Sequence, residues 1–399
     1  MGSVTTVRSY ILDKKKKNPK LRIGSLHDIT EAQKYPPIPT GNLVMDYITS
    51  IGGFPRGLVT EIRGATSSGK STSAAMAAAQ HQKAVKAGEA TGAILYMDFE
   101  NTVSEQYFQN LGLDTTDDET FIYLQPETLE EGFNIFLEMT KEGLLGLGIV
   151  DSVAAASAES EYEATIGKLS IGNRAKALHQ ALRMCVGPMR VQGTALLLIN
   201  HTQVKIPQTF GEKQAAMRGI QQTISPGGKA IEYYTSLRID LAQPSNNKTE
   251  VQDDLTNEKT KQITSTDVLA WAFKSKVGTP QKMGKMRVQF GKGFNQVYSA
   301  FHILVDHKYI GKKAGGRYDF PEQLLPKGVE KVPVGEENIL NAIEENSEWT
   351  SLLIDVARKV ILKDREEQGD HEVVISDDYI EEEDGTLVDP DTGEVVESD

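Results

Sequence analysis

The sequence predicts an α/β fold in which a mostly parallel, twisted sheet carries helices on both faces. Three observations predict it. Short apolar runs alternate with longer helical segments from Leu58 to Asn200, the pattern of a parallel sheet covered on both sides. The chain has 399 residues and an apolar fraction of 39%, enough to bury a sizeable core. Its first strand runs into a glycine-rich loop and then a helix, the local order that phosphate binding requires.

The elements follow in chain order. Residues 1 to about 35 are polar and weakly patterned, and YPPIPTG (Tyr35–Gly41) marks a boundary, because proline cannot continue a regular element. Leu58–Arg63 reads as a strand, Ser71–Ala87 as an Ala-rich helix and Ala93–Asp98 as a buried strand. Glu105–Leu111 and Leu129–Glu142 read as helices, Leu147–Asp151 as a buried strand, Ile171–Gln192 as a long helix and Thr194–Asn200 as a further strand. The polar stretch Thr202–Pro226 is long for a connection, and such loops are functional or disordered. Ser236–Ala242, Thr264–Phe273 and Lys285–Phe290 then read as strands, with polar Asn246–Lys261 as a hairpin or insertion. The expected organisation is a basic N-terminal arm (1–37), an ATPase-like core (38–298), a small α/β C-terminal subdomain (299–363) and an acidic, disordered tail (364–399). There is no internal repeat and no heptad seam.

The net charge of −13 argues, taken whole, against a nucleic-acid partner. Its distribution removes that argument. Asp364–Asp399 holds sixteen acidic residues and one basic, a net of −15, so the remaining 363 residues carry +2. A block of like charge is solvated; this one reads as a solubility tail or as a competitor with nucleic acid for a basic groove. The first forty residues lean the other way, with eight basic residues against three acidic, centred on Lys14–Lys17. That run reads as a solvated arm or as a contact to DNA phosphates or a neighbouring subunit. The lone Cys185 cannot form an internal disulfide, which points to a reducing compartment. No apolar run reaches the roughly eighteen residues of a membrane span, and the N-terminus lacks a secretory h-region. The expectation is a soluble, cytoplasmic protein with no membrane partner.

GATSSGKS comprises Gly64, Ala65, Thr66, Ser67, Ser68, Gly69, Lys70 and Ser71, and Thr72 follows. It fits the P-loop pattern G-x-x-x-x-G-K-[ST]. Glycines let the backbone turn its N–H groups onto phosphates. Lys70 would neutralise the β- and γ-phosphates of ATP, and the Ser71 hydroxyl would ligate Mg²⁺. Asp151 closes the strand GLGIVD, where a carboxylate can hold Mg²⁺ through water. Glu100 follows AILYMDF and can orient and deprotonate an attacking water. Asp98 competes for that role but still belongs to the strand. His201 follows TALLLIN, where a polar group can feel the γ-phosphate and pass its state into the loop beginning at Thr202.

The order of these segments resembles RecA-type DNA recombinases. Ile38–Gly57 resembles the lead-in to their phosphate loop, GATSSGKST the loop, YMDFE the catalytic-glutamate segment and IVDSVAA (Ile149–Ala155) the Mg²⁺-aspartate strand. LLLINH (Leu196–His201), SPGGKAIEYYTSLRIDL (Ser225–Leu241), FKSKVGTP (Phe273–Pro280) and KAGGRYDF (Lys313–Phe320) follow in family order. The resemblance implies a RecA-like P-loop core and assigns roles to particular residues. Tyr107 matches an aromatic that stacks on adenine. Glu159–Gly172 and Thr202–Pro226 match the two DNA-binding loops. In the second loop, Lys205 and Phe210 match positions near the DNA backbone and between base triplets; Lys213 and Arg218 there, with Arg174 and Lys176 after the first loop, are further candidate contacts to single-stranded DNA. Lys274 and Lys276 match a pair that reaches a neighbouring subunit's γ-phosphate. Histidine at position 201 resembles phage recombinases of the UvsX kind, where cellular RecA has glutamine.

The resemblance implies a DNA-dependent ATPase that forms helical filaments on single-stranded DNA and pairs it with homologous duplex DNA, alongside single-strand-binding and mediator proteins. The alternatives are a RecA-fold ring helicase or branch-migration ATPase, and a recombination mediator that binds ATP.

Overall fold

Side chains along a strand point alternately to its two faces, and the apolar strands of this chain divide between two cores accordingly. The computed structural model describes residues 7–18, 23–25, 35–162, 172–204, 223–224, 226, 228–252, 259–329 and 331–367, together with 380–381, 387–388 and 395–396. Its parallel strands are β1 (Val59–Gly64), β2 (Ala93–Asp98), β3 (Phe121–Leu124), β4 (Leu145–Asp151), β5 (Ala195–His201) and the first part of β8 (Thr235–Gln252). In β5, Ala195, Leu197 and Ile199 enter one core while Leu196 and Leu198 enter the other. Each fully buried side chain of this size contributes roughly 1.5–3 kcal/mol.

The first core lies beneath α3 (Lys70–Ala87), whose small alanines let the helix approach the sheet, and α4 (Glu105–Asn110). The second lies beneath α5 (Leu129–Lys141) and α7 (Asn173–Gln192). α5 is set by local signals: the Thr128 hydroxyl accepts from the Glu131 N–H, and the Glu131 carboxylate accepts from the Glu127 N–H. Such reciprocal capping fixes where a helix begins. Cys185 of α7 is buried, and burial pushes its thiol up to about 12.

With β9 (Lys259–Ser275), β10 (Met283–Gln289) and β11 (Gly293–Phe294), the sheet has nine strands in the order β11-β10-β9-β8-β1-β5-β4-β2-β3, parallel from β8 to β3 and antiparallel beyond. β3 is a strand the periodicity does not predict; it is short, lies at the sheet edge, and leaves Tyr123 40% exposed. The expected hairpin or insertion Asn246–Lys261 falls within two long antiparallel arms, β8 and β9 (Lys259–Ser275), whose hairpin-like pairing runs on to Gln252 and Lys259. The N-terminal arm, expected to be unpatterned, contains an eleven-residue helix α1 (Val7–Lys17), with Lys17 paired to Asp13 at 2.8 Å and four lysines at its C-terminus. Cationic side chains there oppose the helix dipole. Of the expected acidic tail, Asp364–Glu367 lie in the helix Ser347–Glu367, where Lys282 donates to Asp364 at 2.6 Å; the rest lies outside the described residues apart from its two-residue strands. Among the described residues, no helix is long and apolar enough to cross a membrane.

C-terminal to β10 (Met283–Gln289) and β11 (Gly293–Phe294), the helices α9 (Gln296–Asp306), α10 (Glu336–Glu344) and α11 (Ser347–Glu367) extend the first core without a break. Trp349 is buried and its indole N–H donates to the Leu324 carbonyl. Arg287 forks onto both Asp267 and Glu337, over the Tyr298 ring. Beside it, Glu336 lies 3.2 Å from His302 and accepts from the Tyr318 hydroxyl.

Contact with His302, then the Tyr318 hydrogen bond, outweigh burial and hold the Glu336 carboxyl at about 2, against an ordinary 4.5. A depressed carboxyl stabilises the fold above its unfolded value, and that contribution is lost as pH falls towards the folded value. In thermal melts the parent should be more stable than Glu336→Gln at neutral pH. The gap should close as pH drops below about 4.5; a gap independent of pH would remove this account.

Candidate active site

The phosphate loop is the turn from β1 into α3, and two glycines there are sterically required. A Cβ on Gly64 would lie 2.5 Å from the Leu241 carbonyl oxygen and 2.6 Å from Ser68 Oγ. Gly69 holds φ +89°, in the left-handed region that favours glycine, and its Cβ would lie 2.8 Å from Val288. As the N-cap of α3, Gly69 supplies no side-chain acceptor, so the first helical N–H groups remain for an anion. Ala65, Thr66 and Ser67 form an exposed crest above buried Ser68 and Lys70. Lys70 Nζ donates to the Ala65 carbonyl at 2.7 Å. Burial lowers the Lys70 pKa, against the charges of Asp151 and Glu100, which raise it.

β5 lies between β1 and β4, and β2 lies beyond β4. The tips of these parallel strands therefore bring together residues far apart in sequence. Ser71, next to Lys70, stands close enough to the Asp151 carboxylate to favour its charged form. The Tyr96 hydroxyl donates to Asp151 Oδ2 at 2.6 Å. Burial raises the Asp151 pKa, while the Tyr96 hydrogen bond and then Ser71 lower it. The next peptide, Asp151–Ser152, is cis, and Ser152 Oγ donates to Glu100 Oε1 at 2.5 Å. The same Glu100 oxygen lies 3.1 Å from His201 Nε2. Burial would raise the Glu100 carboxyl, but hydrogen bonds from Ser152 and His201, with the Lys70 charge, hold it below its ordinary value. It is ionised at neutral pH.

Asp98 is occupied differently. Its Oδ1 accepts from the backbone N–H groups of Glu100 and Asn101, each at 2.9 Å, and its Oδ2 from those of Thr102 and Val103 and from the Tyr123 hydroxyl. It shapes the turn that carries Glu100, which leaves Glu100 as the carboxylate free to meet a substrate. Tyr107 meets the start of α3: its hydroxyl and Thr72 Oγ1 are 2.7 Å apart.

Beneath the loop, Glu61 is fully buried in mid-β1. It accepts from Arg238 Nε at 2.6 Å and from Asn200 Nδ2 at 3.0 Å. Asn200 Nδ2 also donates to the Pro226 carbonyl, and its Oδ1 accepts from the His201 N–H. Sequence reasoning missed Tyr96, Ser152, Asn200, Glu61 and Arg238. Ser152 and Asn200 sit within segments that were informative, IVDSVAA and LLLINH, and a polar residue at the tip of an apolar strand was their signal.

The remaining candidates lie elsewhere. Arg174 donates to the Ala154 carbonyl at 2.7 Å and lies 3.8 Å from Glu161, so here it braces the segment after β4. Lys176 is exposed on the first turn of α7. Lys274 Nζ donates to the Glu232 carbonyl, and Lys276 is exposed just past β9. Lys274 pairs with Arg238, which pairs with Glu61 in mid-β1, and the Lys276 N–H donates to the Ser236 carbonyl near the start of β1, so the two lysines stand roughly 10–13 Å of strand from Gly64. They lie away from their own phosphate loop, toward the opposite end of the sheet. Lys205, Phe210, Lys213 and Arg218 lie outside the described residues.

The Glu61–Arg238 pair makes a quantitative prediction. Removing one partner leaves a buried charge uncompensated, at a cost of about 3–5 kcal/mol. Arg238→Leu should lower the urea-unfolding free energy by that amount; a loss within error would mean that water reaches Glu61.

A family model of the RecA N-terminal domain matches residues 10–295. Protein RecA of Corynebacterium glutamicum strain R is 31% identical over 323 residues, covering 80% of this chain and 76% of the relative. Protein RecA of Thermotoga neapolitana is 30% identical, covering 80% and 83%. Protein RecA of Mycobacteroides abscessus is 30% identical over 345 residues, covering 86% and 87%. The family model spans well over half of the chain and the relatives are at least 30% identical across most of it, so the chain belongs to the RecA family of DNA recombinases.

Proposed function

We propose that the chain is a DNA-dependent ATPase that assembles as a helical filament on single-stranded DNA and pairs it with homologous duplex. ATP hydrolysis is the switch for DNA binding. The observation that carries this reading is the junction at Glu100. Its Oε1 contacts both Ser152, beside Asp151, and His201, beside Asn200, which bonds the Pro226 carbonyl at the return end of the second loop. A change at the γ-phosphate that moves Glu100 therefore acts on His201 and on that loop.

Lys70 and the N–H groups at the start of α3 would hold the triphosphate, Tyr107 the adenine, and Glu100 would orient and deprotonate water. The oxygen donors fit Mg²⁺: Ser71 stands beside Asp151, with Glu100 and Asp98 adding negative charge. Such an ion keeps waters and takes phosphate oxygens as further ligands. When bound, it would neutralise phosphate charge. The position of Lys274 and Lys276 away from their own phosphate loop supports action on a neighbour's nucleotide rather than their own. Lys176, Lys205, Phe210, Lys213 and Arg218 remain the proposed DNA contacts. The division at 37, 298 and 363, a cytoplasmic location, a phage-type lineage and single-strand-binding or mediator partners belong to the same proposal.

Lys70→Ala should abolish ATP hydrolysis in a phosphate-release assay with single-stranded DNA; near-normal turnover would refute the site. Electron micrographs with single-stranded DNA and a slowly hydrolysed ATP analogue should show open helical filaments. Closed rings would favour a helicase-like motor, and the absence of any assembly a mediator.

A further inference from the structure

We infer that Tyr96 is a positioning residue: its buried hydroxyl fixes the Asp151 carboxylate and so sets how tightly the nucleotide site holds a divalent ion. This rests on the nucleotide-site reading above. The strand register creates the contact. Tyr96 pairs with Ile149 of β4 and Asp98 with Asp151, and residues two apart on a strand share a face. Tyr96, Asp98 and Asp151 therefore project to the same side of the sheet.

The ring has little freedom. It is fully buried, packs edge-on against Phe108 at 5.1 Å, and stacks beside Tyr123 at 6.3 Å. Its hydroxyl reaches Asp151 Oδ2 at 2.6 Å. Burial, and then the Asp151 charge, push the phenol well above its ordinary range, and a phenol is a hydrogen-bond donor at neutral pH. Asp151 needs that donor. It is 6% exposed and its neighbours Glu100 and Asp98 carry the same charge. Ser71 is the other neighbour that favours its charged form, and Ser71 is also the hydroxyl a magnesium ion would claim. With Tyr96 holding Oδ2, the carboxylate keeps its orientation when Ser71 turns to the ion. Without the phenol, like-charge repulsion from Glu100 and Asp98 is free to turn Asp151, which weakens ion binding.

Tyr96→Phe keeps the ring packing and removes only the hydroxyl. The test measures Mn²⁺ binding to the full chain with saturating ADP, reading free Mn²⁺ by electron paramagnetic resonance, and ADP affinity in chelator. Thermal melts without nucleotide or metal establish that each variant folds. Tyr96→Phe should weaken Mn²⁺ binding about ten-fold, the scale typical of outer-shell partners, and leave ADP affinity in chelator unchanged. Tyr123→Phe removes a hydroxyl from the same aromatic cluster but faces Asp98, and should bind Mn²⁺ as the parent does. In an Asp151→Asn background, Tyr96→Phe should have no further effect. Parental Mn²⁺ affinity in Tyr96→Phe, or an equal loss in Tyr123→Phe, overturns the inference while the nucleotide site stands. Parental affinity in Asp151→Asn overturns the site reading itself.

Discussion

Solvating charge that water cannot reach is the constraint on which the site depends. Asp98, Asp151 and Lys70 are buried and Glu100 is part-buried, all at the carboxyl edge of one sheet. A buried ion without partners costs several kcal/mol. The chain meets each demand with specific partners: backbone N–H groups for Asp98, Tyr96 and Ser71 for Asp151, Ser152 and His201 for Glu100. The partners come from three strands and the phosphate-binding helix, so satisfying charge also fixes how those strand tips are arranged. Catalytic geometry is in this sense a by-product of electrostatic necessity.

Glu61 extends the same logic to the other side of β1. It sits opposite Leu198 of β5 and Arg238 of β8 and hydrogen-bonds Asn200 and Arg238. Arg238 also approaches Glu232 at 3.8 Å and the Phe273 ring at 5.0 Å, and Lys274 donates to the Glu232 carbonyl. A continuous polar chain thus joins the strand tip that carries His201 to the strand that carries Lys274. Packed networks of this kind transmit displacement because interior packing does not absorb it.

Much of the fold was legible because its signals are local. Continuous apolar runs marked β2, β4 and β5, and the loop glycines were legible because backbone geometry excludes any other residue. β3 was not, since a four-residue edge strand has no buried run to announce it. The long arms of β8 and β9 could be read only as a hairpin or an insertion because residues 243–262 are mostly polar; their antiparallel pairing agrees with the hairpin, and backbone pairing rather than an apolar stripe makes the strands. α1 escaped notice because it has no buried face, and Val7, Tyr10 and Leu12 are exposed. In the site, Lys70, Ser71, Glu100, Asp151 and His201 could be named from motif and position, and the fold gathers them. Tyr96 could not: a tyrosine in a buried strand is ordinary until the register places Asp151 above its hydroxyl.

The opposed positions of the phosphate loop and of Lys274 and Lys276 along the parallel strands make the protomer a directional object. Under the proposed assembly, a stack of such units has unlike termini. One last pocket receives no lysines, and one last pair of lysines finds no pocket. Growth and shrinkage at the two termini then follow different chemistry, and a polymer laid on a strand of DNA inherits a head and a tail from the register of a single sheet.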